Sequence, residues 1–308
     1  MRVFVGLLVG SLALSEGLRC APLAKFSSAT PLRQASLPTI SARVVARSLV
    51  RRGGVPEASM LTLAGAMAAP VAVRDAGVAL LLLTTSVAWI RVCTAMSGAG
   101  LITSSDSRKL VHVGSGPFFV LAWPLFSRTP GGQLAATAVP VLSVFRLLAA
   151  SRTKEGSALV KAVSRTGDSR EALGGPMLYT IVLLASAILG WHSIVPLIAI
   201  GQMAVGDGMA DLVGRRLGRS KWPFSFVSQR KSVEGSVAFA VSAFAACSAM
   251  LAVFHAAGMT ALTAASAAPA LLVVSVLSAL VELLPIGDDN LTVPLAAAIL
   301  SAVLLPGN

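Results

Sequence analysis

Apolar runs long enough, or nearly long enough, to cross a bilayer recur from about residue 76 almost to the end of the chain, joined by short polar connections. They cover residues 76–92, 110–126, 134–150, 176–190, 193–206 continuing towards 213, 236–256, 260–281 and 291–306. Few folds accommodate such a pattern. With 55% apolar and only 12% charged residues over 308, and a mean hydropathy of +0.81, the composition lies far outside that of soluble domains. The expectation is an all-α polytopic membrane protein of about eight transmembrane helices. Only residues 190–193 separate the fourth and fifth runs, which predicts a tight turn.

The connections carry their own signal, because Lys and Arg collect on one side of a membrane. Arg108 and Lys109 follow the first run; Arg152, Lys154, Lys161, Arg165 and Arg170 follow the third; a cluster from Arg215 to Lys231 follows the fifth. The connections after the second, fourth and sixth runs hold Arg128 alone. Eight spans therefore alternate basic and neutral ends, and residues 282–290, after the seventh run, fall on the basic face with every other polar motif. The net charge of +12 is explained by these connections and by the first 57 residues, without a nucleic-acid partner. Cys20, Cys93 and Cys247 have no metal-binding or redox spacing. No internal repeat or heptad pattern occurs.

Residues 1–58 read as a targeting leader ahead of a membrane domain over 59–308. Arg2 precedes an apolar run over 3–14, too short to span and suited to a signal-like segment 1–20. From 22 to 56 there is no acidic residue, while Ser, Thr, Ala and Arg abound, so 21–58 is transit-like. The two together resemble the bipartite leader of proteins sent to plastids bounded by extra membranes. A single plastid or mitochondrial presequence is the alternative.

The stretch GDGMADLVGRRLGRSKWPFSFVSQRKSVEGSV, from Gly206 to Val237, interrupts the apolar pattern with carboxylates, glycines and cations. Asp207 and Asp211 stand four apart, so on a helix both leave one face, where such a pair can hold a divalent cation. Interfacial carboxylates neutralised by neighbouring arginines are the plainer alternative. Arg215, Arg216 and Lys231 suit phosphates, and Gly206, Gly208 and Gly214 permit close backbone approach. Ser232 and Glu234 open the sixth run as phosphate-site residues or as ordinary caps. No G-x-x-x-x-G-K-[ST] string occurs. Glu282, Asp288 and Asp289 form a second carboxylate group, available to a metal or a substrate hydroxyl, in a turn where Asn290 or Thr292 is the expected N-cap. Lys109 and His112 lie one turn apart at the start of the second run, and Arg170 and Glu171 precede the fourth.

At these residues the chain resembles the polyprenol kinase family, within it the phytol, farnesol and geranylgeraniol kinases. The strings are SRKLVHVGSGPFFVLAWPLFS from Ser107, SREALGGPMLY from Ser169, GDGMADLVGRRLG with KWPFS and KSVEGSVA from Gly206, and VELLPIGDDNLTVP from Val281. The block 206–235 is more distantly similar to dolichol kinases and CDP-diacylglycerol synthases. The resemblance implies phosphoryl transfer from CTP, with Mg2+, to a membrane-dissolved prenyl alcohol such as phytol, in a plastid membrane and in phytol salvage towards tocopherol. It implies Asp207 and Asp211 as metal ligands and Gly206, Gly208, Gly214, Arg215, Arg216, Lys231, Ser232 and Glu234 as the nucleotide and phosphate site. Asp288, Asp289, Glu282 and His112 are its catalytic candidates. A CDP-lipid-forming cytidylyltransferase and a membrane transporter are the competing readings. The first lacks an explanation for the SRKLVH and DDNLTVP strings, the second for the absence of a repeat.

Overall fold

A computed structural model describes residues 57–152, 169–228 and 230–306 of the chain. The leader expectation lies outside the described residues except for Glu57 and Ala58, which begin a helix. Residues 75–308 form one compact unit and residues 1–74 another, of which only 57–74 are described.

Each of the eight apolar runs is helical. In chain order the helices are α1 (Glu57–Gly98), α2 (Ser104–Leu121), α3 (Pro130–Ser151), α4 (Gly175–Leu189), α5 (Ile194–Gly201), α6 (Asp207–Leu217), α7 (Val233–Ala256), α8 (Ala264–Leu283) and α9 (Asp289–Leu304). A π-helical turn, Gln202–Gly206, joins α5 to α6, so the fifth run is one continuous rod. The described residues contain no strand, only an isolated bridge between Lys221 and Ser232. The protein is an all-α polytopic membrane protein: six helical segments among the described residues are long and apolar enough to cross a bilayer. The other two runs are α2, which opens on Asp106, Arg108 and Lys109, and α9, a shorter apolar helix of 16 residues. Outward residues such as Val241, Leu272, Val276 and Val303 are exposed and apolar, the surface that lipid would cover.

Local chemistry sets the helix ends. Thr103, Thr129, Ser193, Ser232 and Thr263 each accept a backbone N–H as N-cap, and Pro130 occupies the first position of α3. Thr263 and Ser266 cap reciprocally, which delays α8 to Ala264 although the apolar run begins at 260. The tight turn between α4 and α5 is present, with His192 at φ 65°. Asp288, rather than Asn290 or Thr292, caps α9, because its carboxylate accepts the Asn290 N–H at 2.9 Å.

The rod from Ile194 to Leu217 is the centre of the packing. Some 72% of its most apolar window is buried, against 17–39% in the other five spans. Its neighbours come close through small residues, the usual means of helix association where lipid removes the hydrophobic drive. Ala210, Phe239, Ala243, Ala279 and Val293 pack together from α6, α7, α8 and α9. A Cβ on Gly206 would meet the Phe239 ring, one on Gly208 would meet Val113 of α2, and one on Gly214 would meet Ser232. The glycines expected at a phosphate site thus lie at helix crossings.

At the opposite end from the basic loops, buried Asp75 of α1 accepts the Ser127 N–H at 2.7 Å and the Ser127 hydroxyl. Asp75→Ala leaves that buried N–H without its acceptor, a loss of about 1–3 kcal/mol. The expected result is a lower thermal unfolding midpoint in detergent, and an unchanged midpoint would show that the contact carries no weight.

Candidate active site

Five elements bring charge to one place: the start of α2, the start of α6, the loop before α7, the end of α8 and the start of α9. The π turn shapes the first contact. It moves the bond of the Asp207 N–H to the Gln202 carbonyl, five residues back, so the Met203 carbonyl is free to pair with His112 Nε2 at 3.0 Å. Buried Gln202 anchors the turn by donating to Ser275 Oγ at 2.9 Å. Asp207, itself buried, is then met by Lys109 Nζ at 3.0 Å and by His112 Nε2 at 3.4 Å. Tyr179 of α4 fixes the His112 segment: its hydroxyl donates to the His112 carbonyl at 2.9 Å, and the rings pack at 4.4 Å.

Lys231 arrives from the loop before α7. Its ammonium lies 3.1 Å from Glu282 Oε1 and 3.2 Å from Asp289 Oδ2, and it also donates to the Glu282 carbonyl. Burial alone would lower the Lys231 pKa, but the two carboxylates outweigh it and raise the value. Asp207, Glu282 and Asp289 offer carboxylate oxygens that all lie within 4.8 Å of one another. Two lysines therefore flank three converging carboxylates.

Asp211 stands apart from this trio. Its Oδ2 pairs with Arg215 at 2.9 Å and is 4.0 Å from Lys109. Arg215 also reaches Asp106 Oδ1 at 3.1 Å, and Arg216 bonds Asp106 Oδ2 at 2.8 Å. The Arg216 hydrogen bond, aided by the Arg215 charge, holds the Asp106 carboxyl below its usual range against the effect of burial. The first two arginines of the cluster are thus matched by acidic partners. Ser232 caps α7 by accepting the Gly235 N–H at 3.1 Å, and Glu234 accepts the Ser220 N–H at 2.9 Å, so both hold the loop.

A cavity of about 930 Å³ opens beside the trio. Its polar end is lined by Lys109, His112, Asp207, Asp288 and Asp289, with Glu171 of the short 3-10 turn Ser169–Leu173. Its apolar lining comes from α1 to α4, including Leu83, Val87, Phe119, Val139 and Leu183. Arg170 is outside the lining. The size is typical of small-molecule sites, and the combination accepts an amphiphile with its polar group beside the carboxylates.

Named relatives match the chain over most of their length. The chain is 38% identical over 283 residues to a protein of Triticum aestivum named "Probable phytol kinase, chloroplastic", covering 90% of this chain and 93% of the relative. It belongs to the phytol kinase family. A rice (Oryza sativa subsp. japonica) protein named "Probable phytol kinase 1, chloroplastic" is 37% identical over 79% of this chain and 77% of its own. "Phytol kinase 1, chloroplastic" of Arabidopsis thaliana is 34% identical over 79% and 80%. No family model matches the chain, and no solved structure matches it. As a member of the phytol kinase family the protein is a kinase with an alcohol as acceptor, as the four sequence blocks implied.

Sequence reasoning missed Asp106, Gln202 and Tyr179, and also Arg91 of α1 and Arg146 of α3, which line the cavity. For Arg91 and Arg146 a signal was present: each is a charge inside an apolar run, at 76–92 and 134–150.

Proposed function

We propose that this chain transfers the terminal phosphoryl group of CTP to phytol, or to a related prenyl alcohol, in a plastid membrane, and so returns free phytol towards tocopherol synthesis. One observation carries the reading: a cavity of about 930 Å³ joins an apolar lining from α1–α4 to Lys109 and to Asp207 and Asp289 of the converging carboxylates. The isoprenoid tail occupies the apolar part, and its hydroxyl meets the polar end at Asp288 and Asp289.

Phosphoryl transfer asks a protein for alignment and charge compensation more than for covalent work. The hydroxyl oxygen forms a bond to the terminal phosphorus as the bond to the bridging oxygen breaks, giving CDP and the lipid monophosphate, and the hydroxyl proton passes to a neighbouring carboxylate. Three hard oxygen donors within 4.8 Å suit Mg2+, so Asp207, Glu282 and Asp289 are the proposed holders. When bound there, Mg2+ supplies positive charge to the phosphate oxygens. Lys109 and Lys231 pair with the carboxylates and hold them in place, and His112, pinned by Met203, orients Asp207.

The test uses the full chain in liposomes with γ-labelled CTP, UTP, ATP or GTP and a panel of alcohols. Label is expected in phytyl monophosphate, strongest with CTP, and abolished by a chelator. A CDP-lipid with released pyrophosphate would instead make the protein a cytidylyltransferase. A fluorescent fusion of the full chain is expected in the plastid envelope or its interior membranes, and a cytosolic or mitochondrial signal would contradict the plastid assignment.

A further inference from the structure

The cavity carries a second set of charges that the carboxylate trio does not account for. Arg91 of α1, Arg108 of α2 and Arg146 of α3 line it together with Lys109. Arg91 and Arg146 lie within helical segments apolar enough to span a membrane, where an ionised side chain is costly and faces a pathway or a partner. The other cations around the site have partners: Lys109, Lys231, Arg215 and Arg216 are each paired with carboxylates. Arg91 and Arg146 have no side-chain hydrogen bond or ion pair among the described residues, and both are exposed residues that line the cavity.

We propose that Arg91 and Arg146, with Lys109, form the binding site for the polyphosphate of the nucleotide donor. The proposal rests on the kinase reading above and assigns the donor site to α1 and α3 rather than to the Arg215–Arg216 cluster. Three arguments support it. The acidic groups of the cavity come from α6, the turn before α4 and the α8–α9 turn, whereas the unmatched guanidinium groups come from α1 and α3, so one cavity presents both a metal-binding set and a phosphate-binding set. Guanidinium groups present fixed forks of N–H donors that match phosphate oxygens two at a time. Finally, transfer requires the terminal phosphate and the alcohol's hydroxyl in a single space, and this cavity already holds the apolar lining for the alcohol.

Lipid headgroups offer the same phosphate chemistry, so the test separates the two sources. The full chain is purified in an alkyl maltoside, free of phospholipid, and equilibrium binding of Mg-CTP and CMP is measured for wild type, Arg91→Gln, Arg146→Gln and the double variant. Each single change is expected to weaken CTP about tenfold, the worth of one charge-assisted contact, and CMP much less, so that the preference for triphosphate collapses in the double variant. Arg→Lys at either position is expected to recover part of the loss. Unfolding midpoints confirm that the variants are folded, and the single changes stand if the double one is not. Unaltered CTP binding in both single variants, equal losses for CTP and CMP, or a wild type that binds no nucleotide would overturn the proposal. So would a loss that appears only in phospholipid vesicles, which would assign the arginines to headgroups. A wild type that binds CTP through these arginines but phosphorylates no alcohol would defeat the kinase reading and leave this inference standing.

Discussion

Asp207→Asn is expected to lower phosphoryl transfer at least about a hundredfold, while Asp211→Asn lowers it less than about tenfold. The two residues look equivalent in sequence, four apart in GDGMAD. Their surroundings are not. Asp207 converges with Glu282 and Asp289 within 4.8 Å, and it is buried beside Lys109. An amide in its place keeps the volume but removes the charge that would hold Mg2+ against phosphate. Glu282→Gln and Asp289→Asn should act in the same way. Asp211 spends its carboxylate on Arg215, and losing it leaves Arg215 still paired with Asp106. The variant proteins should unfold near the wild-type temperature, because Lys109 in Asp207→Asn retains Asp211 at 4.0 Å as a counter-charge. Losses of equal size at 207 and 211 would return metal binding to the i, i+4 pair. Activity above about a tenth of wild type in both would make the pair structural.

The contrast shows where local pattern stops being informative. Runs of apolar residues specify helices of this length whatever they pack against, so all eight runs and the tight turn at 190–193 were legible. Choice of partner is a tertiary property. Nothing near Asp207 in sequence indicates that its carboxylate will meet Glu282 and Asp289, or that Asp106, a century of residues upstream, will neutralise Arg216. The π turn at Gln202–Gly206 alters which way Asp207 faces, and no residue type announces it. The glycines show the same limit: two close-packed helices and a phosphate loop both require a residue without a side chain, and at Gly206, Gly208 and Gly214 the geometry is that of packing. Lys231 was recognisable as important, but its contacts are with carboxylates rather than open space.

Filling the apolar end of the cavity should change which alcohol is used. Leu183 lies one turn beyond Tyr179 on α4 and lines the cavity with Phe119 and Val139, away from the carboxylates. Leu183→Trp adds bulk where the far part of a long tail would lie, and so should exclude about one isoprene unit. At about 0.8 kcal/mol per buried CH2, that exclusion costs about 3–4 kcal/mol, or at least about a hundredfold in kcat/KM for phytol. Geraniol, whose shorter tail ends before the obstruction, should lose less than about threefold, and farnesol should fall between them. Overpacking carries its own cost of about 1–3 kcal/mol in stability, so unfolding midpoints are measured alongside and Val139→Phe serves as a second, smaller plug from α3. The pattern across chain lengths is what decides. A uniform loss for geraniol, farnesol and phytol would mean that the substitution disturbs the polar end, since a tail-length effect cannot reach an alcohol too short to touch the plug. Undiminished phytol turnover in folded Leu183→Trp and Val139→Phe would mean that the tail leaves between helices into the bilayer, and that the cavity serves the nucleotide alone.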